Sequence, residues 1–128
     1  MTKHKLKFQV LDKEFTIHQF PPDHPVPPQL FQTPFYTICR TRDELSIVCG
    51  ADTGIDSETS EKEWSCIQVA GQLDFALTGI LADISGALAK AGISLFAIST
   101  FDTDYILVKT TNLKSACRAL TDAGHIFI

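Results

Sequence analysis

Between Thr78 and Val108 the chain changes its apolar repeat from a helical period to a strand period, and this constrains the fold more than any other stretch. Ile80, Ile84, Leu88 and Ala91 recur every three or four residues, with Leu81 beside them, which makes one apolar helical face. Thr78 stands where a hydroxyl can cap the first turn, and Gly92 where a left-handed residue closes the last. Gly79 and Gly86 lie inside the pattern, each costing up to ~1 kcal/mol relative to alanine. At the first turn Gly79 leaves room for close approach to the backbone, and at mid-helix Gly86 leaves room for a packed strand or partner helix. From Ile93 the repeat is two, and both alternating sets contain apolar residues, which predicts a strand buried on both faces. Asp102-Thr103 reads as a hairpin turn lacking the usual glycine, and Tyr105 to Val108 as the return strand.

The ends of these elements bring together groups that suit a small zwitterion. A helix start presents unpaired amides and a partial positive charge, so Thr78, Gly79 and Ile80 could hold a carboxylate. Asp104 or Asp102, at the hairpin, could pair with an ammonium, and backbone groups at Thr100 and Phe101 could complete the enclosure. The plainer reading is an ordinary cap and two ordinary turn aspartates.

Earlier in the chain, Leu6, Phe8 and Val10 alternate with Lys5, Lys7 and Gln9, and a second alternation runs through Phe15, Ile17 and Gln19. With Asp12-Lys13 as the turn, these predict a hairpin. The segment from Pro21 to Pro28 carries five prolines, so an extended crossing with at most one helical turn near Pro28 to Phe31 is expected. The alternative is a proline-rich partner motif. Phe35 to Cys39 and Leu45 to Cys49 flank a charged tip and predict a second hairpin, both strands apolar enough to be central. Within it Ser46 is a lone hydroxyl, either a satisfied buried serine or a ligand contact. Asp52 to Glu63 holds five acids and one lysine and is the linker or surface-loop candidate. Trp64 to Val69 begins a new strand. After Val108, Asn112 caps a second helix with Leu113, Ala116, Cys117, Leu120 and Ala123 inward, Gly124 closes it, and His125 to Ile128 ends the chain as a strand.

Charge and composition narrow the function. The net charge of −4 argues against nucleic acid and anionic membranes as partners. No apolar run approaches the ~18 residues of a membrane helix. The first ten residues lack the apolar core and cleavage site of a signal peptide. The four cysteines form no CxxC pair and the four histidines no metal spacing, so reduced cysteines in a cytoplasmic protein are expected, with no metal and no cofactor.

The second half therefore reads βαββαβ, an α+β, ferredoxin-like antiparallel sheet with its helices on one face. The first half reads as a degenerate copy with proline-rich and acidic segments where helices would stand. The expected units are residues 1–60 and 61–128. The segments Gly79-Ile80-Leu81 through Gly92-Ile93-Ser94, and Ile93 through Val108 paired with Glu44 to Cys49, resemble tandem ACT domains, small regulatory modules that bind amino acids. The pattern is similar to the ACT units of the cytosolic arginine sensor upstream of mTOR and of lysine-sensitive aspartokinases, and it covers Glu14 to Gly124. The resemblance implies a ligand between ACT units or at a pairing edge. Carried over by position, Ser46, Ile47 and Val48 form one wall, Leu77, Thr78, Gly79 and Ile80 the helix-start loop, and Thr100, Phe101, Thr103 and Asp104 the other wall. It also implies a homodimer and a separate regulated protein, because the arginine sensor has about twice as many such units per chain and no catalytic domain is visible here. Two alternatives stand beside this non-enzymatic amino-acid sensor. One is a protein-interaction module using the proline-rich loop or a sheet edge. The other is a small enzyme on the same scaffold, for which His125 and Asp104 are the nameable acid and base.

Overall fold

The computed structural model describes residues 5–71 and 78–128. Among the described residues seven strands and two α-helices form two compact units, one of Met1–Asp12 with Ser65–Ile128 and one of Lys13–Trp64. Among the described residues, 5–12 cluster with Ser65–Ile128. Two long strands, β1 (Lys7–Phe20) and β4 (Thr59–Val69), contribute to both units.

In the larger unit β4 leads to α1 (Ile80–Lys90), β5 (Phe96–Ser99), β6 (Asp104–Lys109), α2 (Leu113–Asp122) and β7 (Ile126–Phe127). The strand order is β7-β1-β4-β6-β5. This is the expected βαββαβ arrangement with one addition, the start of β1 inserted between β7 and β4. The insertion is bonded on both sides. Lys7 accepts the Ala70 N–H at 2.8 Å, and Leu6 and Phe8 accept the Ile126 and Ile128 N–H groups at 3.0 and 2.8 Å. Its apolar residues explain why it enters: Leu6, Phe8 and Val10 pack with Ile67, Val69, Ile84, Leu88, Ile106 and Leu120 in one core.

Both helices end alike. Gly92 (φ 73°) and Gly124 (φ 104°) take the left-handed position. Around them Ile93 N–H bonds Leu88 O at 2.9 Å, and His125 N–H bonds Leu120 O at 3.1 Å. These are Schellman closures, and each returns the chain toward the core. The α1 start differs from expectation. Its N-cap is Gly79, left-handed at φ 81°, rather than Thr78, and the glycine has no side chain of its own to cap the turn. A positive φ at that position is open to glycine and strained for threonine.

In the smaller unit the strand order is β2-β3-β1-β4, with β2 (Tyr36–Arg40) and β3 (Leu45–Gly50) antiparallel and β3 antiparallel to β1 from Phe15↔Gly50 to Phe20↔Leu45. A 3₁₀ turn, Pro28–Gln32, stands where a helix would, and it sets Leu30 into a core of Phe20, Leu45, Ile47 and Cys49. One turn near Pro28 was expected, and proline at its start fixes why it begins there.

Further sequence expectations are corrected. Asp12-Lys13 is no turn, and β1 runs straight through it; a Gly-less dipeptide offers no positive φ for a tight hairpin. In the second half of β1 the buried set is Thr16, His18 and Phe20, with Phe15 also covered, so the inward phase continues from Leu6, Phe8 and Val10. Last, β2 is an end strand, largely exposed, not a central one, β5 is an end strand rather than one buried on both faces, and β4 starts at Thr59, inside the acidic stretch.

Candidate functional site

The β5–β6 hairpin builds the most constrained polar group in the larger unit. Ser99 pairs with Asp104 across the strands, and the Ser99 hydroxyl donates to Asp104 Oδ1 at 2.6 Å. The loop is Phe101-Asp102, one residue earlier than expected. Neither residue has a positive φ, so the turn is not of the usual primed type. Thr100 substitutes for that geometry. Its N–H and hydroxyl donate to Thr103 O at 2.8 and 3.1 Å, and its hydroxyl accepts the Thr103 N–H at 3.3 Å. The Thr103 hydroxyl then donates to Val69 O at 2.8 Å and ties the hairpin to the end of β4.

This anchoring buries Thr103 and leaves Asp104 only 9% exposed. No lysine, arginine or histidine pairs with Asp104 among the described residues. A largely covered carboxylate with one hydroxyl donor lacks much of what water would supply, and a cation beside it would restore that. Phe101 projects from the tip, 72% exposed.

The other sequence candidates fall in different environments. Thr78 is exposed, Gly79 is the α1 N-cap, and among the described residues nothing lies within 4 Å of a Cβ built on Gly79. Ile80 faces inward and belongs to the core. In the smaller unit Ser46 is half-buried on β3 between Gln19 of β1 and Cys39 of β2, while Ile47 and Val48 are buried. Leu77 lies outside the described residues. Of the enzyme candidates, His125 is buried and accepts the Leu6 N–H on Nδ1 at 3.0 Å, with Phe8 edge-on at 5.4 Å. That nitrogen is occupied in holding β1.

The thiols are free. Burial pushes Cys66 up to about 12 and raises Cys49 and Cys117, so these three stay protonated at neutral pH. Among the described residues no cluster of three metal-ligating side chains occurs, and no helix is long and apolar enough to cross a membrane.

Sequence reasoning missed His18. It is buried, its Nδ1 lies 2.7 Å from Ser57 Oγ, and Ser57 donates to Thr59 O at 3.0 Å. The signal was available in the even-numbered register shared with Phe8 and Phe20.

Comparison with known proteins agrees with the architecture. A family model described as an ACT domain matches residues 59–122, and a second, for an N-terminal domain, matches residues 13–57. The human cytosolic arginine sensor for mTORC1 subunit 1 is 33% identical over 94 residues, which take in 67% of this chain and 29% of that protein. This chain therefore matches less than a third of the length of such relatives. A crystal structure of a protein from Agobacterium tumefaciens superposes with a TM-score of 0.90 at 32% identity, covering 98% of this chain and 94% of that one. The regulatory subunit of aspartate kinase from Thermus thermophilus shares the fold, with a TM-score of 0.63 at 12% identity over 88% of this chain and 95% of its own.

Proposed function

The chain belongs to the ACT-domain family, and from that premise we propose that it is a non-catalytic sensor that binds a free amino acid. The observation that carries this reading is Asp104, a nearly buried carboxylate held by Ser99 and lacking a cation among the described residues. An α-ammonium supplies that cation. The α-carboxylate is matched by the start of α1, at Thr78, Gly79 and Ile80, whose N-cap is a glycine with no side chain of its own to offer the first-turn amides. Backbone at Thr100 and Phe101, and the anchored Thr103, shape the remainder. The resemblance adds Leu77 to this set and, separately within the smaller unit, marks Ser46, Ile47 and Val48. A relative named as an arginine sensor supports an amino acid as the ligand class.

The same reading makes the working form a cytoplasmic homodimer that passes its signal to a separate protein. Among the described residues β5 ends the strand order of its unit, which suits pairing with a second copy. A second reading, a protein-interaction module, has its own support: Phe31, Tyr36 and Ile38 are exposed, and Phe31 meets Tyr36 edge-on at 5.8 Å.

Calorimetric titration of Asp104→Ala tests the site. The variant keeps the native circular dichroism spectrum and binds the amino acid at least about tenfold more weakly, since a charge-assisted bond to a covered group is lost. Undiminished affinity in the folded variant removes Asp104 from the site.

A further inference from the structure

In the smaller unit, the turn after β2 reveals which way that strand's backbone groups point. Thr41 N–H donates to Glu44 O at 2.8 Å, so Thr41 and Glu44 form a hydrogen-bonded pair next to Arg40↔Leu45. Hydrogen-bonded and non-bonded pairs alternate along an antiparallel ladder. Thr37 and Cys39 therefore turn their N–H and C=O groups toward β3, while Tyr36, Ile38 and Arg40 turn theirs outward. Among the described residues β2 ends the strand order, and no strand pairs with that outer side.

Such edges are normally guarded by lysine, proline or a bulge. Tyr36–Arg40 contains neither residue, and its register with β3 runs without a bulge. Its one charge, Arg40, is drawn to a neighbouring turn, where it donates to the Pro22 carbonyl and, at 2.9 Å, to the His24 carbonyl. Tyr36 and Ile38 share one face and are both exposed, and the exposed Phe31 meets Tyr36 edge-on at 5.8 Å. The outward-bonding residues thus carry an apolar strip beside their open backbone groups.

We infer that β2 pairs antiparallel with β2 of a second copy, about a two-fold axis through Ile38. The strand's own pattern selects this occupant. In that register Ile38 stands opposite Ile38 of the second copy, and Tyr36 and Arg40 stand opposite that copy's Arg40 and Tyr36. Every one of these pairs falls on outward groups and exchanges N–H and C=O across the axis, and the apolar strip meets itself. Tyr36 beside a guanidinium adds a ring–cation attraction. The contact uses neither Asp104 nor β5, so it stands or falls apart from the amino-acid reading.

Thiol cross-linking tests the register. About this axis Thr37 lies opposite Cys39 of the second copy in a non-bonded pair, with Cα atoms about 4.5 Å apart, within disulfide reach. The native Cys39 thiols are diagonal neighbours, about 7–8 Å apart and beyond it. Treatment with diamide therefore leaves the native chain unlinked and converts Thr37→Cys to a disulfide-linked dimer, and adding Cys39→Ser abolishes the link. Adding Ile38→Lys instead sets like charges on the axis and lowers the linked fraction at least about fivefold. In nitrogen-15 NMR spectra of the native chain, the amides of Tyr36, Ile38 and Arg40 shift with protein concentration, and those of Thr37 and Cys39 stay nearly fixed. No dimer from Thr37→Cys, a link that survives Cys39→Ser or Ile38→Lys, linking of the native chain, or outward amides that ignore concentration would each overturn the inference and leave the edge to an unlike strand.

Discussion

His18 is a base placed where its protonated form is disfavoured. Burial is the first cause, the Lys62 charge the second, and both outweigh Asp56, so its pKa lies below the usual 6.5. The unfolded chain then takes up the proton more readily than the folded one. Stability contributed by the neutral ring is complete above pH ~6.5 and falls as pH drops through that value toward the folded pKa. Thermal melts at about pH 7.5 and about pH 5 should show this loss, and His18→Gln should flatten it. An unchanged pH slope in that variant would place the sensitivity elsewhere. Glu63 shows the opposite case, a residue whose role no sequence pattern announces. It takes φ 65° inside β4, just before four consecutive buried residues, Trp64 to Ile67. A left-handed residue there shifts the alternation, and nothing in a glutamate's chemistry signals it.

Among the elements, α1 and its closing turn separate two uses of glycine. Among the described residues nothing lies within 4 Å of a Cβ built on Gly86, and it sits inside α1, so Gly86→Ala should raise stability by about 0.5–1 kcal/mol through helix propensity and reduced unfolded-state freedom. Gly124 sits at φ 104°, so Gly124→Ala should lower stability by about 1–2 kcal/mol. Urea unfolding of the two variants checks both signs, and a destabilised Gly86→Ala would mean that something packs on α1 in solution. The helices themselves were legible because their apolar faces and closing glycines are local signals. The course of β1 was not, because one long strand and a hairpin share the same alternation when the intervening residues are Asp12-Lys13. The inward phase of its second half was hidden for a related reason: the buried residues include Thr16 and His18, whose polarity masks them. Nor does apolar content distinguish the central β3 from the end strands β2 and β5, since that depends on which neighbours pair.

At the level of the whole molecule, the βαββαβ order of the larger unit followed from the sequence, and the start of β1 joining it did not. Long-range pairing of Lys7 and Phe8 with Ile126 and Phe127 leaves no mark within either segment. The candidate site was half legible. Asp104 and the turn that anchors it stood out as polar residues at a hairpin, whereas the burial that makes Asp104 costly to leave unpaired comes from the Thr103–Val69 contact across the fold. A sensor built on that carboxylate must be stabilised by its ligand. The most direct measurement is a thermal-melt screen of the protein against the twenty amino acids at millimolar concentration. The account predicts a clear rise in midpoint with one or two of them, equivalent to ~2.7 kcal/mol at a hundredfold excess over Kd. No shift with any amino acid would contradict it.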